Sequence, residues 1–188
     1  MRKTLLLFFT SIFLSGCAAV FVLGAAAGMV VYDKRSLQMI EKDARIFHQV
    51  HKAIVTDPDF ADSHIDVSVF NQVVLLVGQT PEASLRFKAE KIARKTPQVK
   101  RVYDEITVED PVPLSQRTKD SWISTELKAH MLSRKGLESG SIKVVTENSV
   151  VYLMGIVTHE QADLAVDVAR NVKGVKKVVK VFRYITIT

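Results

Sequence analysis

Two histidines, His48 and His51, have a spacing that could serve a metal ion. They stand three residues apart, which places both on one side of a helix. No cysteine and no acidic pair adjoins them at ligand spacing. A nearby acidic loop lacks the glycine and the closing glutamate of a calcium loop; its members are Asp57, Asp59, Asp62 and Asp66. We therefore expect a solvated surface in both places, with no metal and no cofactor.

The sequence offers no motif for catalysis. It has no G-x-S-x-G, no P-loop, no G-x-G-x-x-G and no nucleophile with an evident base. We expect neither an enzyme nor a small-molecule substrate.

The single cysteine, Cys17, follows a charged start, an apolar run and the small residues Ser15 and Gly16. This order is that of a secretory signal. A lone cysteine forms no internal disulfide, so its place in an exported chain requires another explanation. The LSGC sequence resembles the lipobox of bacterial lipoproteins, which implies a signal peptide over residues 1–16 and acylation of Cys17.

That resemblance also implies a destination. Residue 18 is alanine and not the aspartate typical of inner-membrane retention, so sorting to the outer membrane is expected. Residues 17–35 would then be a lipidated apolar tether. The alternative is an uncleaved anchor helix, because the apolar run 4–32 is long enough to span a bilayer.

A tryptophan-led stripe could contact a membrane. The residues from Trp122 to Leu132 recur at helical spacing, and Trp favours bilayer interfaces. The cations around the stripe could meet anionic head groups. The alternative is that Trp122 packs against the linker or the other half of the chain. The stripe comprises Trp122, Thr125, Ala129 and Leu132, and the cations are Lys119, Lys128, Arg134 and Lys135.

An internal repeat indicates which elements position these residues. NQVVLLVG, from Asn71 to Gly78, returns as NSVVYLMG, from Asn148 to Gly155. The same offset pairs Asp43 with Asp120 and continues through both halves, so the chain is two copies of one small domain. Each copy has about 65 residues, near the lower limit for independent folding.

Each copy is predicted to fold in the order α-β-β-α-β. In the first, helices are expected over 36–55 and 81–95, a hairpin turns at Asn71, and a third strand covers 99–108. The second repeats this order with helices over 118–133 and 158–172, a turn at Asn148 and a last strand over 175–185. Thr80-Pro81 and Thr158 with Gln161 resemble helix starts. Gly78 and Gly155 are expected to end the second strand of each copy, where the backbone bends.

This pattern predicts class α+β, with two helices covering one face of each small mixed sheet. The boundaries follow as 36–110 for the first domain, 111–117 for a linker and 118–188 for the second domain. Residues 43–110 carry 9 basic and 11 acidic side chains, whereas residues 111–188 carry 12 basic and 7 acidic ones. An anionic partner should therefore prefer the second domain. Nucleic acid is not expected, because no aromatic side chain interleaves the basic run from Lys173 to Lys180 and the chain is exported.

The repeated unit resembles the BON domain. The resemblance is carried by I-x-V, V-x-L-x-G, an Ala-Arg pair in the second helix and the sequence GVKKV that begins at Gly174. Longer stretches, such as VYDEI at Val102 and DSWIST at Asp120, resemble the dual-BON outer-membrane lipoproteins. Gln98 and Ser149 stand where the BON pattern usually has glycine.

The resemblance implies a function that the residues alone do not. Lipoproteins of this kind face the periplasm, are not catalytic and bind anionic phospholipid through the second BON domain. They support outer-membrane integrity and the β-barrel assembly machinery, which is therefore a candidate partner. An adaptor of that machinery, without direct lipid binding, is the alternative expectation.

Overall fold

The computed structural model describes residues 35–186. The expected signal peptide, Cys17 and nearly all of the tether lie outside the described residues. Residues 35–186 belong to one compact unit. Its helices are α1 (Leu37–Val55), α2 (Ala83–Lys95), α3 (Leu114–Ser133) and α4 (His159–Arg170), and its strands are β1 (His64–Phe70), β2 (Val73–Thr80), β3 (Arg101–Val108), β4 (Ile142–Glu147), β5 (Val150–Val157) and β6 (Lys177–Tyr184).

These elements confirm two α-β-β-α-β units of class α+β. In each unit the first two strands form an antiparallel hairpin, and the third strand pairs in parallel with the second. Both sheets are therefore mixed. Short 3-10 turns, Pro58–Phe60 and Ser139–Ser141, lead into the hairpins. No helix between residues 35 and 186 combines the length and hydropathy needed to cross a membrane.

Both hairpins turn through two residues of positive φ, which is the signature of a type I′ turn. Asn71 and Gln72 have φ of 49° and 64°, and Asn148 and Ser149 have φ of 47° and 65°. The left-handed conformation predicted for Asn71 is thus present, and Asn148 shares it. Asparagine adopts it more readily than most residues because its short side chain can hydrogen-bond locally.

Gly78 and Gly155 do not end their strands as predicted. Both lie inside the second strand of their unit, and pairing with the third strand continues for two residues beyond each of them. Each glycine instead permits a close approach of the neighbouring strand. A Cβ atom on Gly78 would lie 2.0 Å from the carbonyl oxygen of His64, and one on Gly155 would lie 2.7 Å from that of Ser141.

The predicted start of α2 was two residues early. Thr80 is not an N-cap but the last residue of β2, since β2 continues to pair with β3 as far as Val108. The helix begins at Ala83, and its N-cap residue, Glu82, makes no side-chain capping bond. By contrast, Thr158 caps α4 as predicted and accepts a hydrogen bond from the Gln161 amide at 3.2 Å.

The predicted linker is shorter in the structure. Helix α3 begins at Leu114 instead of Thr118, because the chain becomes helical directly after Pro113, its N-cap residue. Proline is tolerated there, since the first amides of a helix have no intrahelical acceptor. Residues 109–113 alone separate β3 from α3. The Val112 amide donates to Gln79 Oε1 at 3.2 Å, which fixes this segment against the first sheet.

Each sheet buries apolar side chains on both faces. One face packs on the two helices of its own unit, as predicted, and gives each domain its own core. The other faces pack against each other. Six buried residues form this inter-sheet core: Phe70, Leu75, Val77, Tyr152, Met154 and Val181.

The inter-sheet core explains why β2 and β5 read as nearly unbroken apolar runs. Alternate side chains point to opposite faces of a strand. In β2, Val74 and Leu76 belong to the helix-covered core, whereas Leu75 and Val77 belong to the inter-sheet core. The two BON units are therefore joined by packed sheet faces as well as by the chain.

Candidate functional site

Helix α3 presents one side to the core of the second domain. Ile123, Leu127 and Met131 are fully buried there, as their spacing predicts. Asp120 is buried on the same side. These residues define the face of α3 that packs on the sheet, and the opposite face of the helix therefore points to solvent.

The opposite face of α3 is apolar and exposed. Trp122 is 51% exposed and Leu132 is 62% exposed, and Leu114 extends the stripe by two turns with 74% exposure. Thr125 and Ala129 lie between them and are also exposed. Trp122 belongs to none of the three buried clusters.

The hydroxyl groups on this side of α3 are already hydrogen-bonded. Thr118, Ser121 and Thr125 each donate to the backbone carbonyl four residues earlier, at 2.9–3.0 Å. A hydroxyl that is bonded within its own helix needs no water partner. The free energy needed to remove this face from water is therefore lower than its sequence suggests.

The four predicted cations are exposed around this stripe. Arg134 Nη2 lies 3.1 Å from Asp167 Oδ2, so its charge is partly compensated. Among the described residues, Lys119, Lys128 and Lys135 form no ion pair. Three uncompensated ammonium groups therefore border the exposed apolar face.

The corresponding helix of the first domain carries a different surface. Trp122 corresponds to Arg45, whose guanidinium lies 3.1 Å from Glu41, and Ala129 corresponds to Lys52. His48 stands where the second domain has Thr125. The ends of the stripe are apolar and exposed in both domains, since Leu37 and Val55 correspond to Leu114 and Leu132. The apolar middle of the stripe, led by Trp122, is specific to the second domain.

The other predicted polar groups remain at the surface. His48 and His51 lie on α1, and no third metal-ligating side chain joins them within residues 35–186. His51 stacks on Phe47 with ring centroids 5.2 Å apart. In the basic run, Lys176 and Lys180 are exposed, and Lys180 Nζ lies 3.7 Å from Asp163.

Two buried aspartates were not assigned a role from the sequence. Asp43 accepts hydrogen bonds from the amides of Asn71 and Gln72 at 2.7 and 2.8 Å. Asp120 binds the amides of Asn148 and Ser149 in the same way, both at 2.8 Å. The repeat register paired these aspartates, so the signal for a shared structural role was present.

Polar contacts between the domains were also missed. Gln79 Nε2 donates to Glu147 Oε1 at 2.7 Å, and Lys143 Nζ donates to the Val69 carbonyl at 3.3 Å. Burial raises the pKa of the Glu147 carboxyl. The sequence signal for these contacts was Gln79, a polar residue within the apolar strand β2.

Comparison with known proteins agrees with this architecture. The BON domain family model matches residues 42–110 and 119–186. The chain is 36% identical over 187 residues to Outer membrane lipoprotein DolP of Haemophilus influenzae, covering 98% of this chain and 97% of that protein. It is 39% identical over 124 residues to the 21 kDa hemolysin of Actinobacillus pleuropneumoniae, covering 66% and 64% of the two chains.

A third relative, Osmotically-inducible protein Y of Escherichia coli, is 31% identical over 139 residues, covering 72% of this chain and 69% of that protein. Both family matches coincide with the two structural units, and the first relative spans nearly the whole chain. The chain therefore belongs to the BON-domain family, as a dual-BON protein of the DolP type.

Proposed function

We propose that this protein is a non-catalytic outer-membrane lipoprotein, anchored at Cys17 and facing the periplasm, which binds anionic phospholipid through helix α3. The observation that carries the proposal is the exposed apolar face of α3 led by Trp122. A large exposed apolar surface on one element marks an interaction site. The similarity to a protein named an outer membrane lipoprotein supports the compartment.

The chemistry of this face suits a bilayer interface. An aromatic ring with both apolar and polar edges partitions to the head-group region. Lysines beside it add about 1 kcal/mol each at an anionic surface. The apolar side chains of α3 provide insertion and the lysines provide charge selectivity.

Vesicle binding tests this proposal. Residues 33–188 contain all three buried clusters and omit the expected anchor, so binding by this fragment reports on the folded domains. We expect co-sedimentation with phosphatidylglycerol vesicles, weakening as salt rises, and little binding to phosphatidylcholine. Trp122 is the only tryptophan, so its fluorescence should shift to the blue on binding.

The decisive variant is Trp122→Glu, which places a charge at the centre of the stripe. We expect at least a tenfold loss of vesicle affinity with an unchanged circular dichroism spectrum, and mislocalisation of the full chain within the envelope. The matched control is Arg45→Glu, at the equivalent position of the first domain. Binding that survives Trp122→Glu, or that Arg45→Glu weakens equally, would contradict the proposal.

The second candidate function is an adaptor for the β-barrel assembly machinery. It is favoured by two exposed aromatic side chains of the first domain, Phe47 at 40% and Phe87 at 67% exposure. Vesicle binding separates the two functions, because an adaptor without lipid affinity would leave protein-free vesicles unbound.

A further inference from the structure

Three side chains that can ligate a metal meet where the two BON units join. His64 and Asp66 extend from β1 of the first unit, and Glu147 ends β4 of the second. Their ligating atoms all lie within 4.8 Å of one another. This cluster lies apart from the His48 and His51 pair, and it combines residues from both copies of the repeat.

The backbone determines this convergence. His64 and Asp66 are two residues apart on one strand and therefore point to the same face. That face is the one opposite Ile65 and Val67, which pack on the helices of the first unit. It is the face that the second sheet covers, and Glu147 approaches it from there.

Glu147 is held in place before any ligand binds. Its side chain belongs to a residue only 6% exposed, and Gln79 Nε2 fixes Oε1 at 2.7 Å. A buried carboxylate is costly in its charged form. Burial therefore raises the pKa of Glu147, although the hydrogen bond from Gln79 acts to lower it.

The surrounding charges favour a cation over a further anion. The carboxylates of Asp66 and Asp120 raise the pKa of Glu147, as burial does. Arg117 and Lys128 line the same groove. Among the described residues, neither forms an ion pair with Asp66 or Glu147. The basic side chain that acts on Glu147 is His64, whose charge lowers the pKa of that carboxyl.

We propose that His64, Asp66 and Glu147 form a binding site for a divalent transition-metal ion of the zinc type, which bridges the two BON domains. One imidazole and two carboxylates supply three ligands of the kinds that zinc accepts. Water completes the coordination. Calcium and magnesium are disfavoured because they take oxygen ligands.

The three ligating atoms must move slightly closer together to coordinate zinc. Tetrahedral zinc with bonds of about 2.0–2.1 Å has ligand atoms roughly 3.3 Å apart. The Asp66 side chain is exposed and His64 is half-buried, so both can move toward the fixed Glu147. The domains themselves need not shift.

Bridging has a thermodynamic consequence. An ion that binds only the folded, docked pair stabilises it by mass action, so the melting temperature rises with ion concentration. Metal binding also requires a deprotonated imidazole, so affinity falls as the solution is made acidic.

Calorimetric titration of the full chain in detergent with zinc chloride tests the site. We expect one ion per chain and a zinc-dependent rise in melting temperature. His64→Ala and Glu147→Gln should each weaken binding at least tenfold and abolish the rise. Glu147→Gln keeps an oxygen acceptor for Gln79, so it removes the ligand charge without removing that hydrogen bond.

Two controls identify the ligands. The double variant His48→Ala with His51→Ala removes the exposed histidine pair, and Cys17→Ser removes the only cysteine sulfur. Both should bind zinc as the parent chain does. The proposal is overturned if zinc does not bind, if His64→Ala and Glu147→Gln bind as tightly as the parent, or if either control abolishes binding. Vesicle binding is a separate readout, so either proposal can fail alone.

Discussion

Gly78 and Gly155 occupy equivalent positions, yet they differ in backbone conformation. Gly78 has a φ of +118°, in the region that side chains rarely adopt, whereas Gly155 does not. Both approach a carbonyl of the neighbouring strand closely, but the distance at Gly78 is much shorter. The repeat alone therefore overstates how similar the two glycines are.

Alanine substitution should reveal this difference. We expect Gly78→Ala to lower the free energy of unfolding by about 3 kcal/mol, because strain and a steric clash add. Gly155→Ala should cost about 1–2 kcal/mol, since only the clash applies. Urea denaturation of the two variants measures both values. Equal losses would show that the positive φ at Gly78 carries no penalty.

Local contacts decide which basic residue of the first domain is a suitable control for vesicle binding. Lys88 is a basic residue of that domain, but its ammonium lies 2.5 Å from both Asp57 and Asp59. Reversing its charge would disrupt the loop before β1. Arg45 is the better control for this reason, since its single partner is an exposed residue on the same helix.

At the scale of elements, each hairpin is tied to the first helix of its unit by one buried aspartate. Asp43 on α1 and Asp120 on α3 each accept two backbone hydrogen bonds from a turn. Asp43 additionally pairs with Arg35, whose guanidinium lies 2.5 Å from the carboxylate. The helix and the hairpin are therefore held in one relative position.

Replacing these aspartates should uncouple helix from turn. Asp120→Asn leaves one acceptor oxygen for two amides, so we expect a loss of about 2 kcal/mol in the free energy of unfolding. Asp43→Asn should cost more because it also breaks the ion pair with Arg35. Chemical denaturation provides the measurement. A loss below about 0.5 kcal/mol in either variant would mean that water replaces the lost bonds.

Most elements could be predicted from the sequence, and the errors have specific causes. Apolar periodicity located the four helices and six strands that lie between residues 35 and 186, because each buries a regular face. The start of α2 was missed since Thr80 remains paired in the sheet, which local sequence does not reveal. The start of α3 was missed because polar residues after Pro113 resemble a linker.

The exposed stripe of α3 was predictable for a related reason. The core face is defined by Ile123, Leu127 and Met131, so any further apolar residues on the helix must lie elsewhere. The sequence placed this stripe beside the core face, whereas the structure turns it fully outward. Leu114 was not included, because the helix was expected to begin after it.

At the scale of the whole molecule, the inter-sheet core was the principal feature that the sequence did not predict. Apolar runs in β2 and β5 show that both faces are buried, but they do not identify what covers the second face. The contact of His64 and Asp66 with Glu147 depends on that packing. Residues distant in sequence become a cluster only once the two units are docked.

The charge of Glu147 should influence the stability of the docked pair. Burial raises its pKa in the folded protein above the ordinary value of 4.5. The protonated form is favoured by folding, so its contribution is complete below the unfolded pKa and is lost as pH rises through the folded pKa. In metal-free buffer, Glu147→Gln should therefore melt at a higher temperature than the parent at pH 7.5.

This advantage should disappear near pH 4, where the parent carboxyl is largely protonated. Melting curves between pH 4 and pH 8 in the presence of a chelator make the comparison. Parallel curves for the parent and Glu147→Gln would show that Glu147 keeps the same proton affinity after folding.

The packing of equivalent sheet faces makes the two halves an internal counterpart of an isologous dimer. Each half, once separated from the other, would present Phe70, Leu75 and Val77, or Tyr152, Met154 and Val181, to solvent. Such a surface pairs readily with a second copy of itself. Deleting one half therefore does more than remove its binding surface. It exposes the apolar sheet face of the remaining half, which alters the solubility and oligomeric state of that half.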